Sequence, residues 1–91
     1  MKKNEIAKIV DAENRAWESL CEARMVSLEN SGLPRGCGYD VACDYTVDET
    51  ERERAAWGAL HRLCESLGLS VKHTEYAREC QIKFREYATN N

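Results

Sequence analysis

Apolar residues return every three or four positions through the first third of the chain, and this repeat constrains the fold more than any other feature. The repeating residues are Ile6, Ile9, Val10, Trp17, Leu20, Cys21 and Leu28, with Ala16 and Ala23 between them. The pattern predicts one amphipathic helix over residues 4–31, ended by Gly32 and Pro34. At 1.5 Å per residue this helix is roughly 40 Å long. Because two shorter helices of one small domain do not cover that length, we expect a homo-oligomer.

Two more helices are predicted from the same kind of repeat. The second covers residues 48–67 and ends at the glycine stop Gly68–Leu69, and the third covers residues 71–88. The expected buried stripe of the second helix is Ala56, Trp57, Leu60, Leu63, Cys64 and Leu67. A chain of 91 residues is too short for two stable cores, so a single helical domain over residues 1–91 is predicted.

Between the first two helices the period changes from 3.6 to two. One side of the segment is Tyr39, Val41, Cys43, Tyr45 and Val47, and the other is Asp40, Ala42, Asp44, Thr46 and Asp48. Strict alternation of β-branched and aromatic residues is typical of extended chain. The predicted fold is therefore all-α, a three-helix bundle with a long N-terminal helix and an extended insertion, or short β-strand, at residues 35–47.

The net charge of −3 is concentrated in residues 32–48, which include that insertion. Residues 1–31 carry five basic and six acidic groups, and residues 49–91 carry seven of each. Residues 32–48 carry Arg35 against three aspartates. Two of the three excess negative charges therefore fall in this segment, and no basic patch of the kind that binds nucleic acid is evident.

Apolar stretches are short throughout the sequence, and cysteines are frequent. No run of apolar residues is long enough for a signal peptide or a membrane span, so we expect a cytoplasmic protein that does not enter a membrane. The chain has five cysteines, an odd number, and in a reducing compartment they are expected to stay free thiols.

A zinc site is one alternative for these thiols. The candidate ligands are Cys37, Cys43, His61 and Cys64, with His73 and Cys80 further along the chain. Zinc prefers sulfur and nitrogen ligands at short spacings, and the sequence contains no CxxC pair. Buried thiols and ordinary histidines are the simpler interpretation, so no metal ligand and no cofactor are predicted.

A helix-turn-helix is the second alternative. Residues 60–79, LHRLCESLGLSVKHTEYARE, resemble this bipartite motif in outline, and the likeness covers about 20 of the 91 residues. The resemblance implies a DNA-binding regulator. However, the second helix of the motif, which would read the DNA, is close to neutral in charge. DNA affinity depends on basic side chains that neutralise phosphates. Thr74 and Ala77 also stand where the motif places larger aliphatic residues.

No arrangement of residues in the sequence identifies a catalytic site, and the chain is short for an enclosed pocket, so no enzyme is predicted. The function expected instead is that of a protein-binding module, an inhibitor or adaptor of a larger partner, in the style of phage and mobile-element accessory proteins. Its acidic surface would compete with nucleic acid. The expected contact residues are Arg35, Tyr39, Asp40, Asp44 and Tyr45, because loops and aromatic anchors commonly carry binding.

Overall fold

The protein is all-helical in a computed structural model that describes residues 1–90. The helices are α1 (Lys3–Glu29), α2 (Tyr39–Glu49), α3 (Glu51–Ser66) and α4 (Glu75–Thr89). The predicted helical class and the long first helix are confirmed, whereas the three-helix bundle with an extended insertion is wrong. Asn91, the last residue of the predicted domain, lies outside the described residues.

The long helix α1 is the element on which the other three pack. Helices α2 and α3 both pack on α1, and α3 packs closer to the N-terminal end of α1. Ala42 of α2 lies beside Leu28, and Trp57 of α3 lies beside Trp17. Helix α4 packs on α1 and α2 and runs parallel to α1, from Ala77 beside Cys21 to Ala88 beside Leu28. The result is an elongated molecule of 49 × 23 × 17 Å.

The segment predicted to be extended forms helix α2 instead. Ala42 and Thr46, four residues apart, are buried against the neighbouring helices, and Thr50 continues this line after the helix ends. A single strand would have left its backbone N–H and C=O groups without partners, whereas a helix satisfies them internally. The alternation was misleading because Val41, Tyr45 and Val47 are not core residues, being 47%, 39% and 41% exposed.

The turn before α2 is joined to the end of α4 by backbone hydrogen bonds. The backbone N–H groups of Gly36 and Gly38 donate to the carbonyls of Tyr87 and Ala88, each at 2.8 Å. The last carbonyls of a helix have no intrahelical donor, so these bonds complete α4 while they fix the start of α2. Gly38 has φ 107°, a conformation that a residue with a side chain rarely adopts.

The core consists of two clusters at the C-terminal half of α1. The larger contains Met25, Leu28, Ala42, Phe84 and Ala88, and the smaller contains Cys21, Ala77 and Cys80 with Trp17 packed against it. Helix α3 belongs to neither cluster, and Cys64 is its only buried residue. The predicted buried stripe of α3 is only partly correct, because Ala56 is exposed and Leu63 and Leu67 are 41% and 40% exposed.

The connection after α3 confirms the predicted glycine stop. Gly68 has φ 67°, its N–H donates to the carbonyl of Glu65, and the N–H of Leu69 donates to that of Cys64. This pair of bonds is the Schellman motif.

Within residues 1–90, no helix combines the length and the apolar character that crossing a bilayer requires.

Candidate functional site

Three of the five predicted contact residues lie together on the exposed side of α2. Asp40 and Asp44 are one helical turn apart, Asp48 continues the line by another turn, and all three are exposed. Val41 lies three residues before Asp44 and Tyr45 three residues before Asp48, so both exposed side chains lie beside this line on the helix surface. We call Asp40, Val41, Asp44, Tyr45 and Asp48 the α2 face. Successive carboxylates on it are about 6 Å apart along the helix axis.

The other two predicted contact residues lie apart from this line. The guanidinium of Arg35 lies over the ring of Tyr87, with its carbon 5.0 Å from the ring centroid. The ring of Tyr39 meets that of Phe84 edge-on at a centroid distance of 6.0 Å. The guanidinium of Arg85 lies over the face of the Tyr39 ring. Tyr39 therefore belongs to a cleft between α2 and α4, although it remains 38% exposed.

A buried carboxylate that the sequence reasoning missed lies between α1, α3 and the segment before α4. Glu13 is 1% exposed, and its Oε1 atom accepts hydrogen bonds from Trp57 Nε1 at 2.5 Å and from His73 Nε2 at 2.9 Å. The signal was available, because Glu13 occupies a position of the apolar repeat of α1 between Val10 and Trp17. A carboxylate at such a position must have partners to be buried.

Aromatic rings surround this carboxylate. Trp17 stacks on His73 at a centroid distance of 4.9 Å and meets Trp57 at 4.8 Å, and Trp57 stacks on His61 at 4.7 Å. These rings shield Glu13 from water and join α3 to α1, where no larger apolar cluster does so. The group is best understood as the polar core of the α1–α3 half of the molecule.

The candidate zinc ligands are distributed among different parts of the fold. Cys37 and Cys43 pack against the larger apolar cluster, Cys80 belongs to the smaller one, and Cys64 lies near Glu13. His61 pairs with Glu65, its Nε2 atom 2.5 Å from Oε1. Within residues 1–90, no three side chains among His, Cys, Asp and Glu are arranged to hold one metal ion.

The five cysteines are free thiols. Burial raises the pKa of the Cys21 thiol to about 11, and burial also raises the pKa of Cys64. A raised pKa leaves less of the nucleophilic thiolate near neutral pH. These two thiols are therefore core groups rather than reactive ones.

The segment that resembles a helix-turn-helix has a long connection in the structure. Residues 67–74 separate α3 from α4, whereas the motif joins its helices by a turn of three or four residues. Each of the two helices packs on α1. The packing of one helix against the other, which would position a recognition helix, is therefore not the basis of this fold.

No family model, curated protein or solved structure matches this chain.

Proposed function

We propose that this protein is a non-enzymatic protein-binding module, an inhibitor or adaptor that binds a larger partner through the α2 face. The observation that supports this proposal is the line of three exposed carboxylates beside an exposed valine and tyrosine. The expectation that an extended segment would present these residues was wrong. The helix presents them more compactly, because residues four apart lie on the same side.

The three carboxylates of the α2 face repel one another in the isolated protein, although Asp40, in the first turn, suits the helix dipole. Asp40, Asp44 and Asp48 are like charges at successive i,i+4 positions, and each such pair destabilises a helix by about 0.2–0.5 kcal/mol. Asp48 is also near the negative end of the helix dipole, and the last turn of α2 contains no basic residue. No ion pair among residues 1–90 includes any of the three. Basic side chains of a partner would remove this repulsion.

The kind of partner follows from the sign and spacing of these charges. A nucleic-acid strand presents one negative charge for every 3.4 Å or so of its axis, and the α2 face presents one for about every 6 Å. A protein surface that binds nucleic acid is basic, so it would attract this line of carboxylates. Tyr45 and Val41 add the apolar contact that a nucleic-acid backbone lacks. The proposed mode of action is occupation of such a surface, as in accessory proteins of phages and mobile elements.

The buried carboxylate supports a non-enzymatic role. Glu13 is enclosed by Trp57 and His73 and has almost no exposed surface, so it cannot reach a substrate. A general base must come within hydrogen-bonding distance of the proton that it removes. The Glu13–His73 pair is thus a structural feature in this proposal.

The test is affinity capture from a lysate of the host cell, followed by competition with nucleic acid. Asp40→Asn/Asp44→Asn removes two charges with little change in shape, and Glu5→Gln/Asp11→Asn is the matched control at the far end of α1. We expect the partner to be retained by the control, lost by the α2 variant, and displaced by nucleic acid. A partner that is captured equally by both variants would contradict the proposal.

We also propose that two copies of the chain associate through the half of the molecule that α4 leaves uncovered. Leu63 and Leu67, one turn apart at the end of α3, are exposed there, and Ile6, Ile9 and Val10 of α1 are only half-buried. A second α1–α3 pair would cover these side chains and form four helices in two layers. Light scattering should give a dimer mass for the native chain and a monomer mass for Leu63→Glu/Leu67→Glu. A native monomer at high concentration would contradict this part.

A further inference from the structure

We propose that the cleft between α1, α2 and α4 binds a small phosphate monoester that carries a compact apolar or aromatic group. The cleft has a volume of about 420 Å³. Its charged and aromatic lining consists of Arg24, Tyr39, Arg78, Phe84, Arg85 and Glu86. This site is separate from the protein-binding role proposed above, and it does not depend on that role.

Two of the three arginines are held in place by aromatic rings. The guanidinium carbon of Arg24 lies 4.3 Å from the ring centroid of Phe84, and that of Arg85 lies 4.9 Å from the ring centroid of Tyr39. Stacking uses the flat face of a guanidinium and leaves the N–H donors around its edge free. The cleft therefore contains oriented donors that do not have to be ordered when a ligand binds.

These arginines lack carboxylate partners, although Arg78 and Arg85 are exposed and only Arg24 is half-buried. In the described chain, none of Arg24, Arg78 and Arg85 takes part in an ion pair. Arg24 is half-buried, and the hydrogen bond that its side chain makes goes to Cys43 Sγ at 3.4 Å, a weak acceptor. A partly desolvated cation with unused donors is costly, and an anion in the cleft would offset that cost.

The charge balance of the cleft indicates the class of anion. Three arginines and Glu86 give a formal charge of +2, that is, three positive charges less one negative. A phosphate monoester carries nearly two negative charges at neutral pH, because its second pKa is about 6. Arginine also binds phosphate through two parallel N–H bonds, which suits oriented guanidinium groups. A monocarboxylate would leave one positive charge unmatched.

The remaining wall of the cleft suits an apolar substituent. Ile82, which is 47% exposed, lines the cleft together with the ring of Phe84 and the partly exposed ring of Tyr39. A volume of this size lies in the range of roughly 300–1,000 Å³ that small-molecule sites have. The ligand class is therefore a phosphate attached to a small hydrophobic or ring-containing group, rather than a bare inorganic anion.

The test is an NMR titration of the full chain with phenyl phosphate, benzoate and inorganic phosphate, followed through the Nε–H signals of the three arginines. We expect saturable shifts with phenyl phosphate and binding at least tenfold weaker for each of the other two probes. Arg78→Gln changes an exposed residue and should weaken phenyl phosphate binding at least fivefold. Arg62→Gln, an equal change on α3, should have no effect.

Two outcomes would overturn the proposal. One is the absence of saturable shifts with phenyl phosphate, or benzoate binding that is equally tight. The other is unchanged phenyl phosphate binding by Arg78→Gln, with the backbone spectrum showing that the variant is folded. A second variant, Arg85→Gln, tests the same point without disturbing the contact between Arg24 and Phe84.

Discussion

Glu13 and His73, which are 60 positions apart in the sequence, share a hydrogen bond of 2.9 Å between Oε1 and Nε2. The same Glu13 oxygen also accepts the indole N–H of Trp57. One buried carboxylate thus connects α1, α3 and the segment that leads into α4. This contact holds together the part of the molecule that has no large apolar core.

Removing the buried carboxylate should destabilise the protein. Glu13→Ala leaves the indole N–H of Trp57 and a ring nitrogen of His73 without their acceptor, and we expect a loss of about 2–4 kcal/mol in the free energy of unfolding. Urea unfolding followed by tryptophan fluorescence measures this loss at the affected site. Glu5→Ala, at an exposed position, should change the value by less than about 0.5 kcal/mol. Equal effects of the two changes would show that the network is not stabilising.

The buried cysteines and the partly buried ones, Cys37 and Cys43, should differ in their rate of alkylation. Cys21, Cys64 and Cys80 are buried, and the raised pKa of Cys21, about 11, further disfavours its thiolate. We expect native protein to take up iodoacetamide quickly at Cys37 and Cys43 only, and at all five positions after denaturation. Intact-protein mass spectrometry counts the adducts. A third fast adduct on native protein would contradict the buried assignment.

Ionisation of Tyr76 should be linked to Glu22. The hydroxyl of Tyr76 donates a hydrogen bond to the carboxylate of Glu22, and this bond raises the pKa of Tyr76 above its ordinary value of 10.0. A pKa that is raised in the folded state stabilises the fold below about pH 10, and this stabilisation is lost as the pH rises through the folded value. Glu22→Gln should therefore shift the NMR titration of the Tyr76 ring to lower pH. Glu29→Gln is the control, and no shift with Glu22→Gln would show that the bond does not control ionisation.

Two glycines should respond in opposite ways to alanine. Gly68 has φ 67° with open space around it, so Gly68→Ala adds only backbone strain and should cost about 1 kcal/mol. Gly58 lies within α3, where its added Cβ would meet only the movable end of Arg62 at 3.3 Å, and Gly58→Ala should stabilise by about 0.5–1 kcal/mol. Thermal unfolding of the two variants compares them directly. The same sign of change for both would refute this account.

The α2 face should reduce the stability of the free protein. Asp44→Ala removes two like-charge pairs and introduces a better helix former, so the free energy of unfolding should rise by about 0.5–1 kcal/mol. The control is Asp11→Ala, which breaks the exposed pair between Asp11 and Arg15 and should bring no comparable gain. Chemical unfolding at low salt measures both. A loss of stability in Asp44→Ala would mean that the carboxylate is already paired within the fold.

Local sequence information was sufficient for the helices that carry a regular repeat. The apolar positions of α1 predicted its length nearly to the residue, and Gly68 marked the end of α3 because only glycine adopts its backbone conformation without strain. Asp40, Asp44 and Tyr45 were predicted as contact residues of an extended segment, with Tyr45 on the side opposite the two aspartates, whereas helix α2 leaves all three exposed on one face.

The segment 39–47 fits two periods, and its own residues do not choose between them. Tyr39 and Cys43 agree with both a helix and a strand, and the choice depends on what packs against Ala42 and Thr46. For Ala42 that information lies in Leu28 and Phe84, which are distant in sequence. Backbone groups that a lone strand would have left unsatisfied then favoured the helix.

The sequence by itself determined the helical class, the long first helix and the acidic character of the segment before α3, because these depend on the spacing and charge of neighbouring residues. Only the tertiary structure decided that Glu13 meets His73 and that Arg24, Arg78 and Arg85 line one cleft. Such contacts join residues from parts of the chain that are distant in sequence. They depend on how the chain returns on itself, which no local pattern specifies.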